Sequence, residues 1–68
     1  MPPLVPRANA IKLLRSAKGW TQRQLAVKIG VTRERLERIE NAKCMPRLDE
    51  AQHIAQALDL PLDEIFPT

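Results

Sequence analysis

Between Thr32 and Glu40 the chain reads TRERLERIE, and its arginines and glutamates are the side chains best equipped for chemistry. A guanidinium can donate two parallel hydrogen bonds to O6 and N7 of guanine or to a phosphate, and a carboxylate can accept one from N4 of cytosine. Arg33, Arg35 and Arg38 stand against Glu34, Glu37 and Glu40, so the segment is formally neutral. A structural arrangement competes. Arg33 with Glu37, and Glu34 with Arg38, are i,i+4 pairs, each worth about 0.2–0.5 kcal/mol to a helix. Exposed pairs are weak enough to be exchanged for other contacts, so the two roles can alternate. Elsewhere no nucleophile, base and orienting group converge, and no enzymatic activity is expected. Cys44 and His53 are the soft metal ligands, whereas a structural zinc site wants four, so no metal, cofactor or small-molecule ligand is expected either.

Two short helices must position these groups. From Gln22, apolar residues recur at Leu25, Ala26 and Ile29 on one face of a 3.6-period helix, and after Val31 in the turn Leu36 and Ile39 repeat the pattern. Each helix opens on a threonine, Thr21 and Thr32, whose hydroxyl can accept a hydrogen bond from an unpaired N–H of the first turn. Gly30 stands where the chain leaves one helix and re-aims the next, because a residue without a Cβ enters the left-handed region at little steric cost. Ala26 is small where the helices cross closely, and Leu36 is the knob expected to pack over it.

The order small, glycine, branched at Ala26, Gly30 and Leu36 resembles the helix-turn-helix proteins of the phage repressor and Cro type, the XRE family. The resemblance covers about Ile11 to Phe66. Ile11, Leu14 and Arg15, then Lys18-Gly19-Trp20-Thr21-Gln22, look like the end of the family's first helix and the entry to its second. Arg38-Ile39-Glu40-Asn41 resembles the end of the third, Met45-Pro46 the lead into the fourth, and Leu58 with Leu60 to Phe66 the terminal turn and short fifth helix. The fold this implies is all-α, a compact five-helix lambda-repressor-like DNA-binding domain over residues 7–66 behind an extended arm, residues 1–6.

Composition agrees with one small domain. The core must be economical in 68 residues, and Trp20 and Phe66 are the only aromatics. Pro2, Pro3 and Pro6 keep the start out of a helix, and the first helix is expected over about Arg7 to Ala17 with Ile11 and Leu14 inward. A fourth runs over about Leu48 to Leu58, with Leu48, Ala51, Ile54, Ala55 and Leu58 at helical spacing. Pro61 suits the first turn of a fifth, where its missing N–H would be unpaired anyway. His53 is expected to be exposed. No apolar run approaches the roughly 18 residues of a membrane span, and no signal peptide is visible, so a cytoplasmic location is expected. The single Cys44 cannot close a bridge within the chain, which suits a reducing compartment.

Charge is segregated along the chain. Through Arg47 stand all 11 lysines and arginines against three glutamates, +8, whereas the remainder carries five carboxylates and no lysine or arginine. A basic front draws in phosphate while an acidic rear is repelled, which orients approach to a polyanion.

The resemblance assigns roles. Base reading falls on Arg33, Glu34 and Arg38, implying a half-site containing G and C, and Arg35 can reach either base or phosphate. The resemblance places phosphate contacts at Gln22 and around Asn41 to Lys43. Apart from it, the amides at the start of the second helix let Thr21 and Gln22 meet a phosphate, and Lys18, Arg23, Lys28, Lys43 and Arg47 supply attraction, with Lys18 and Arg23 also expected on phosphate. Glu40 ends the third helix, where a carboxylate is unfavourable, and in similar proteins it pairs with the arginine that here is Arg15. Asn41-Ala42 replaces the common Asn-Gly, so a positive φ there would leave alanine strained. Arg47 stands where Ser or Asp would cap the fourth helix, and Asp49 compensates only through the helix dipole.

The function implied is a sequence-specific DNA-binding transcriptional regulator, a homodimer on a palindromic operator, with recognition helix 32–40 in the major groove. Its dimer surface is expected at Leu60, Leu62, Ile65 and Phe66, more apolar area than one short helix readily buries. Alternatives are an antitoxin, a restriction-modification controller, or a protein-interaction module of the same fold without DNA binding, which the neutral reading helix would suit.

Overall fold

The computed structural model of the chain describes residues 10–66. Five helices follow one another, α1 (Ala10–Ala17), α2 (Gln22–Ile29), α3 (Arg33–Glu40), α4 (Leu48–Ala57) and α5 (Leu62–Ile65), and no strand occurs among the described residues. The expected arm over residues 1–6, and residues 7–9 of the first helix, lie outside the described residues.

Local chemistry sets the boundaries of α2 and α3. Thr21 Oγ1 accepts from the Gln24 N–H at 3.1 Å while Gln24 Oε1 accepts from the Thr21 N–H at 2.8 Å, a reciprocal cap that satisfies two otherwise unpaired donors. Thr32 Oγ1 accepts from the Arg35 N–H at 3.2 Å in the same way at the start of α3. Gly30 ends α2 with φ 76° and ψ 31°, and Val31 N–H reaches back to the Ala26 carbonyl at 3.0 Å, which closes the helix and turns the chain towards α3.

Every helix contributes to one core. Ile11 comes from α1, Leu25, Ala26 and Ile29 from α2, Leu36 and Ile39 from α3, and Ala51, Ile54 and Ala55 from α4, with Leu58, Ile65 and Phe66 closing the far end. α2 packs on both α3 and α4, and α1 on α3. Leu14 is half-buried, and Leu48, expected inward, is 49% exposed because it is the first residue of α4 and precedes the packed face. No helix among the described residues is long and apolar enough to cross a membrane.

The C-terminal end corrects one expectation. Ile65 and Phe66, assigned to a dimer surface, are 0% and 1% exposed and belong to the chain's own core. A domain this small cannot spare its one phenylalanine: burying such a side chain contributes about 1.5–3 kcal/mol. Leu60 and Leu62 pack against the same cluster and keep part of their surface in solvent.

Two turns differ from simple capping. Ala42 takes φ 57°, the left-handed conformation for which glycine is the usual residue. Lys43 N–H bonds the Arg38 carbonyl at 2.8 Å and Ala42 N–H the Ile39 carbonyl at 3.1 Å, so α3 closes as it would with glycine while alanine carries the strain. At α4, Arg47 supplies no side-chain cap; Glu50, not Asp49, compensates, its Oε1 accepting from the Arg47 backbone N–H at 2.8 Å.

Candidate nucleic-acid interface

The outward side of α3 is fixed by what its inward side buries. Leu36 and Ile39 are 0% exposed, which turns Glu34, Glu37 and Arg38 into solvent and leaves Arg33 half-exposed at the first turn. Arg33, Glu34 and Arg38, the three expected base readers, therefore share one accessible surface at the helix-turn-helix.

Behind it runs a hydrogen-bonded chain that anchors this surface to α1. Arg15 Nε donates to Glu40 Oε2 at 2.9 Å and Nη2 to Oε1 at 3.4 Å, with side chains only 10% and 2% exposed. Arg15 Nη1 also donates to the Trp20 carbonyl at 2.8 Å, so one guanidinium ties α1 to the end of α3 and to the approach to α2. The pair offsets the unfavourable placement of a carboxylate at a helix C-terminus. Gln22 continues the chain: Nε2 donates to Glu40 Oε1 at 3.1 Å, and its Oε1 accepts from Arg33 Nη1 at 3.4 Å. Gln22, assigned to phosphate, is thus half-buried and engaged at both ends of its amide.

Of the two i,i+4 ion pairs that the spacing of α3 allowed, one is formed. Arg33 lies 3.3 Å from Glu37 and 3.6 Å from Glu34. The Glu34 to Arg38 pair is not formed, and Arg38 has no ion-pair partner among the described residues.

Arg35 requires a correction. Its Nε and Nη2 donate to the two carboxylate oxygens of Glu50 at 2.6 and 2.7 Å, a fork that fastens α3 to α4. It precedes buried Leu36 and leans towards α4 instead of outward, so it is neither a free base reader nor a free phosphate donor. Glu50 is 11% exposed at its side chain. The fork from Arg35, with the Arg47 N–H, outweighs burial and holds its carboxyl down at about 2. The Arg35 guanidinium is pushed upward by the same hydrogen bonds, against a smaller cost of burial. Cys44 lies half-buried beside it, Arg35 Nη1 to Sγ 3.8 Å.

The expected phosphate contacts divide into two groups. Thr21 at the start of α2, and Asn41 and Lys43 after α3, are exposed at the two ends of the motif. Lys18 instead pairs with Asp59 at 3.2 Å and stands 5.4 Å from the Trp20 ring centroid. Arg23 and Lys28 lie on the outer face of α2 beside Trp20, where Lys28 Nζ is 4.7 Å from the ring centroid. Two functional features were not read from sequence, the Gln22 bridge and the Arg35 to Glu50 fork. Nothing local marks either one, since the fork joins residues 15 apart and Gln22 reaches Glu40 across 18.

The family model for the helix-turn-helix matches residues 11–65, from the start of α1 to the end of α5. The chain is 40% identical over 55 residues to Antitoxin HipB of Escherichia coli (strain K12), a match covering 81% of this chain and 62% of HipB. It is 33% identical over 58 residues to the uncharacterized HTH-type transcriptional regulator YgzD of Bacillus subtilis (strain 168), covering 85% of this chain and 88% of that one. Among solved structures, Bacillus thuringiensis PlcR in complex with the peptide PapR7 and DNA superposes with a TM-score of 0.76 at 33% identity, covering 84% of this chain and 20% of PlcR. The chain thus spans less than two thirds of HipB and a fifth of PlcR.

Proposed function

The chain belongs to the helix-turn-helix family, and on that premise we propose that it is a sequence-specific DNA-binding transcriptional regulator that lays α3 in the major groove. The observation that carries this reading is the division of labour on α3: Leu36, Ile39, Glu40 and Arg35 are committed to the fold, while Arg33, Glu34 and Arg38 face outward together. The relatives support it, since YgzD is a transcriptional regulator by name and PlcR was solved with DNA.

In this reading Arg38 is the free donor and bonds a guanine edge directly. Arg33 is held by half-buried Gln22 and exposed Glu37 at the distances of weak bonds, so it can exchange these partners for guanine O6 and N7. Glu34 gives up Arg33 and accepts from cytosine N4. Thr21, Asn41 and Lys43 meet phosphates on either side and set the register, with no information about sequence. The chemistry is binding alone, in the cytoplasm, where the DNA lies.

One domain reads only a few base pairs, so a homodimer on a palindromic operator would supply the remaining specificity. With Ile65 and Phe66 in the core, part-exposed Leu60, just before α5, and Leu62, at its start, are what the C-terminal end offers to pairing. A second reading, that the regulator serves as an antitoxin, is favoured by the similarity to HipB.

Selection of bound fragments from random DNA, followed by anisotropy titration of the winning duplex, tests the proposal. A regulator gives an enriched motif whose affinity falls steeply with added salt. A flat selection, with no duplex preferred over bulk DNA, would overturn it.

A further inference from the structure

We propose that the outer face of α2 is a docking groove for an acidic segment of a partner protein, one that presents an apolar side chain between carboxylates. Trp20, Arg23, Gln24, Val27 and Lys28 line a shallow, open concavity of about 380 Å³ there. Val27 is 76% exposed, more than any other large hydrophobic side chain among the described residues, and the core makes no use of it. Arg23 precedes Val27 by one helical turn, and Lys28 and Lys18 stand 4.7 and 5.4 Å from the Trp20 ring centroid. Apolar floor and cationic rim are therefore interleaved.

Charge complementarity selects the occupant. The rim already holds a carboxylate, the chain's own Asp59 on Lys18 at 3.2 Å, with the Asp59 side chain 83% exposed. A DNA backbone would satisfy the cations and leave Val27 and the exposed part of the Trp20 ring without an apolar partner, whereas an acidic peptide with a leucine or phenylalanine satisfies both. Geometry separates this groove from base reading. Gln22 faces Glu40 and Arg33 on the inner side of α2, and the groove residues lie on the side away from the buried Leu25, Ala26 and Ile29. The inference goes beyond the DNA reading and does not depend on it.

Trp20 is the chain's one tryptophan, so its emission reports on the groove directly. The full chain is titrated with a short synthetic peptide carrying a Leu-Phe pair flanked by glutamates. A saturable change in Trp20 emission is expected. It should weaken roughly tenfold or more in Val27→Ser and Lys28→Gln, and with peptides in which serines replace the Leu-Phe pair or lysines the glutamates. Circular dichroism of the two variants shows whether the helices remain. Anisotropy of a labelled DNA duplex, read separately, should be unchanged in Val27→Ser, so failure of the groove and failure of DNA binding are distinct results. Three results overturn the proposal: no saturable emission change, equal binding of the control peptides, or displacement of the peptide by a random-sequence duplex, which would make the groove a phosphate site.

Discussion

Arg38 and Arg35 are three residues apart on one helix, yet they have opposite circumstances. Arg38 is exposed without an ion-pair partner among the described residues, whereas Arg35 is forked onto Glu50. Arg38→Ala should therefore reduce affinity for the selected operator by about 5- to 150-fold, the equivalent of the roughly 1–3 kcal/mol carried by one bidentate contact, and barely alter binding to random DNA. Anisotropy on both duplexes is the check. Arg35→Ala should lower the melting temperature and, measured while still folded, leave the ranking of operator variants intact. Glu50 adds a pH dependence with a definite sign. Its folded-state pKa of about 2 lies below the usual 4.5, so its contribution is complete above pH 4.5 and is lost as pH falls towards 2. The stability advantage of the natural chain over Glu50→Gln, followed by denaturant melts, should shrink through that window and vanish near its lower end.

The elements are short and owe their ends to specific groups. α2 and α3 are 8 residues each, too short to persist alone, so caps and tertiary clamps carry their stability. The turn after α3 is strained at Ala42, φ 57°. Ala42→Gly should relieve about 1–2 kcal/mol of left-handed strain and give back about 0.5–1 kcal/mol in unfolded-state entropy. A net gain on the order of 0.5–1 kcal/mol in denaturant unfolding is expected, and a loss would show that the turn is not strained. The opposite result awaits Arg15→Ala. It leaves Glu40 buried without its cation and should cost about 3–5 kcal/mol, far more than an exposed pair on α3. Because Gln22 bonds the same Glu40, that variant should also loosen Arg33 and lower operator affinity among the molecules that stay folded.

At the scale of the whole molecule, charge and shape act together. The basic residues through Arg47 include those of α3 and its flanks, and the acidic residues beyond it lie on α4 and the segment that ends in α5. On the proposed reading, long-range attraction comes from the surroundings of the formally neutral α3, and binding to random DNA should fall steeply with salt. Pairing on an operator should leave a footprint of two half-sites about one helical turn, roughly 34–36 Å, apart. Sedimentation with and without the selected duplex measures the stoichiometry, and a single copy on a palindromic site would remove the homodimer.

The short-range features were legible in the sequence because each is set by near neighbours. Thr21, Thr32 and Gly30 mark helix ends through bonds spanning three to five residues, and the 3.6-residue period of Leu25, Ala26, Ile29, Leu36 and Ile39 names the buried faces. That was enough for the order of helices and for the surface that carries Arg33, Glu34 and Arg38. What each charged side chain does was decided only in three dimensions. Arg35 resembles its neighbours in sequence, and only the approach of α4 gives it Glu50; Ile65 and Phe66 resemble an adhesive surface, and only closure of the core hides them. Helical period fixes which way a residue points relative to its own axis, but the partner it meets depends on how the axes pack, a relation between residues far apart in the chain. The TRERLERIE segment by itself therefore determined a helix with a charged outward face, and the tertiary structure decided which of its arginines stay available for the proposed contacts with DNA.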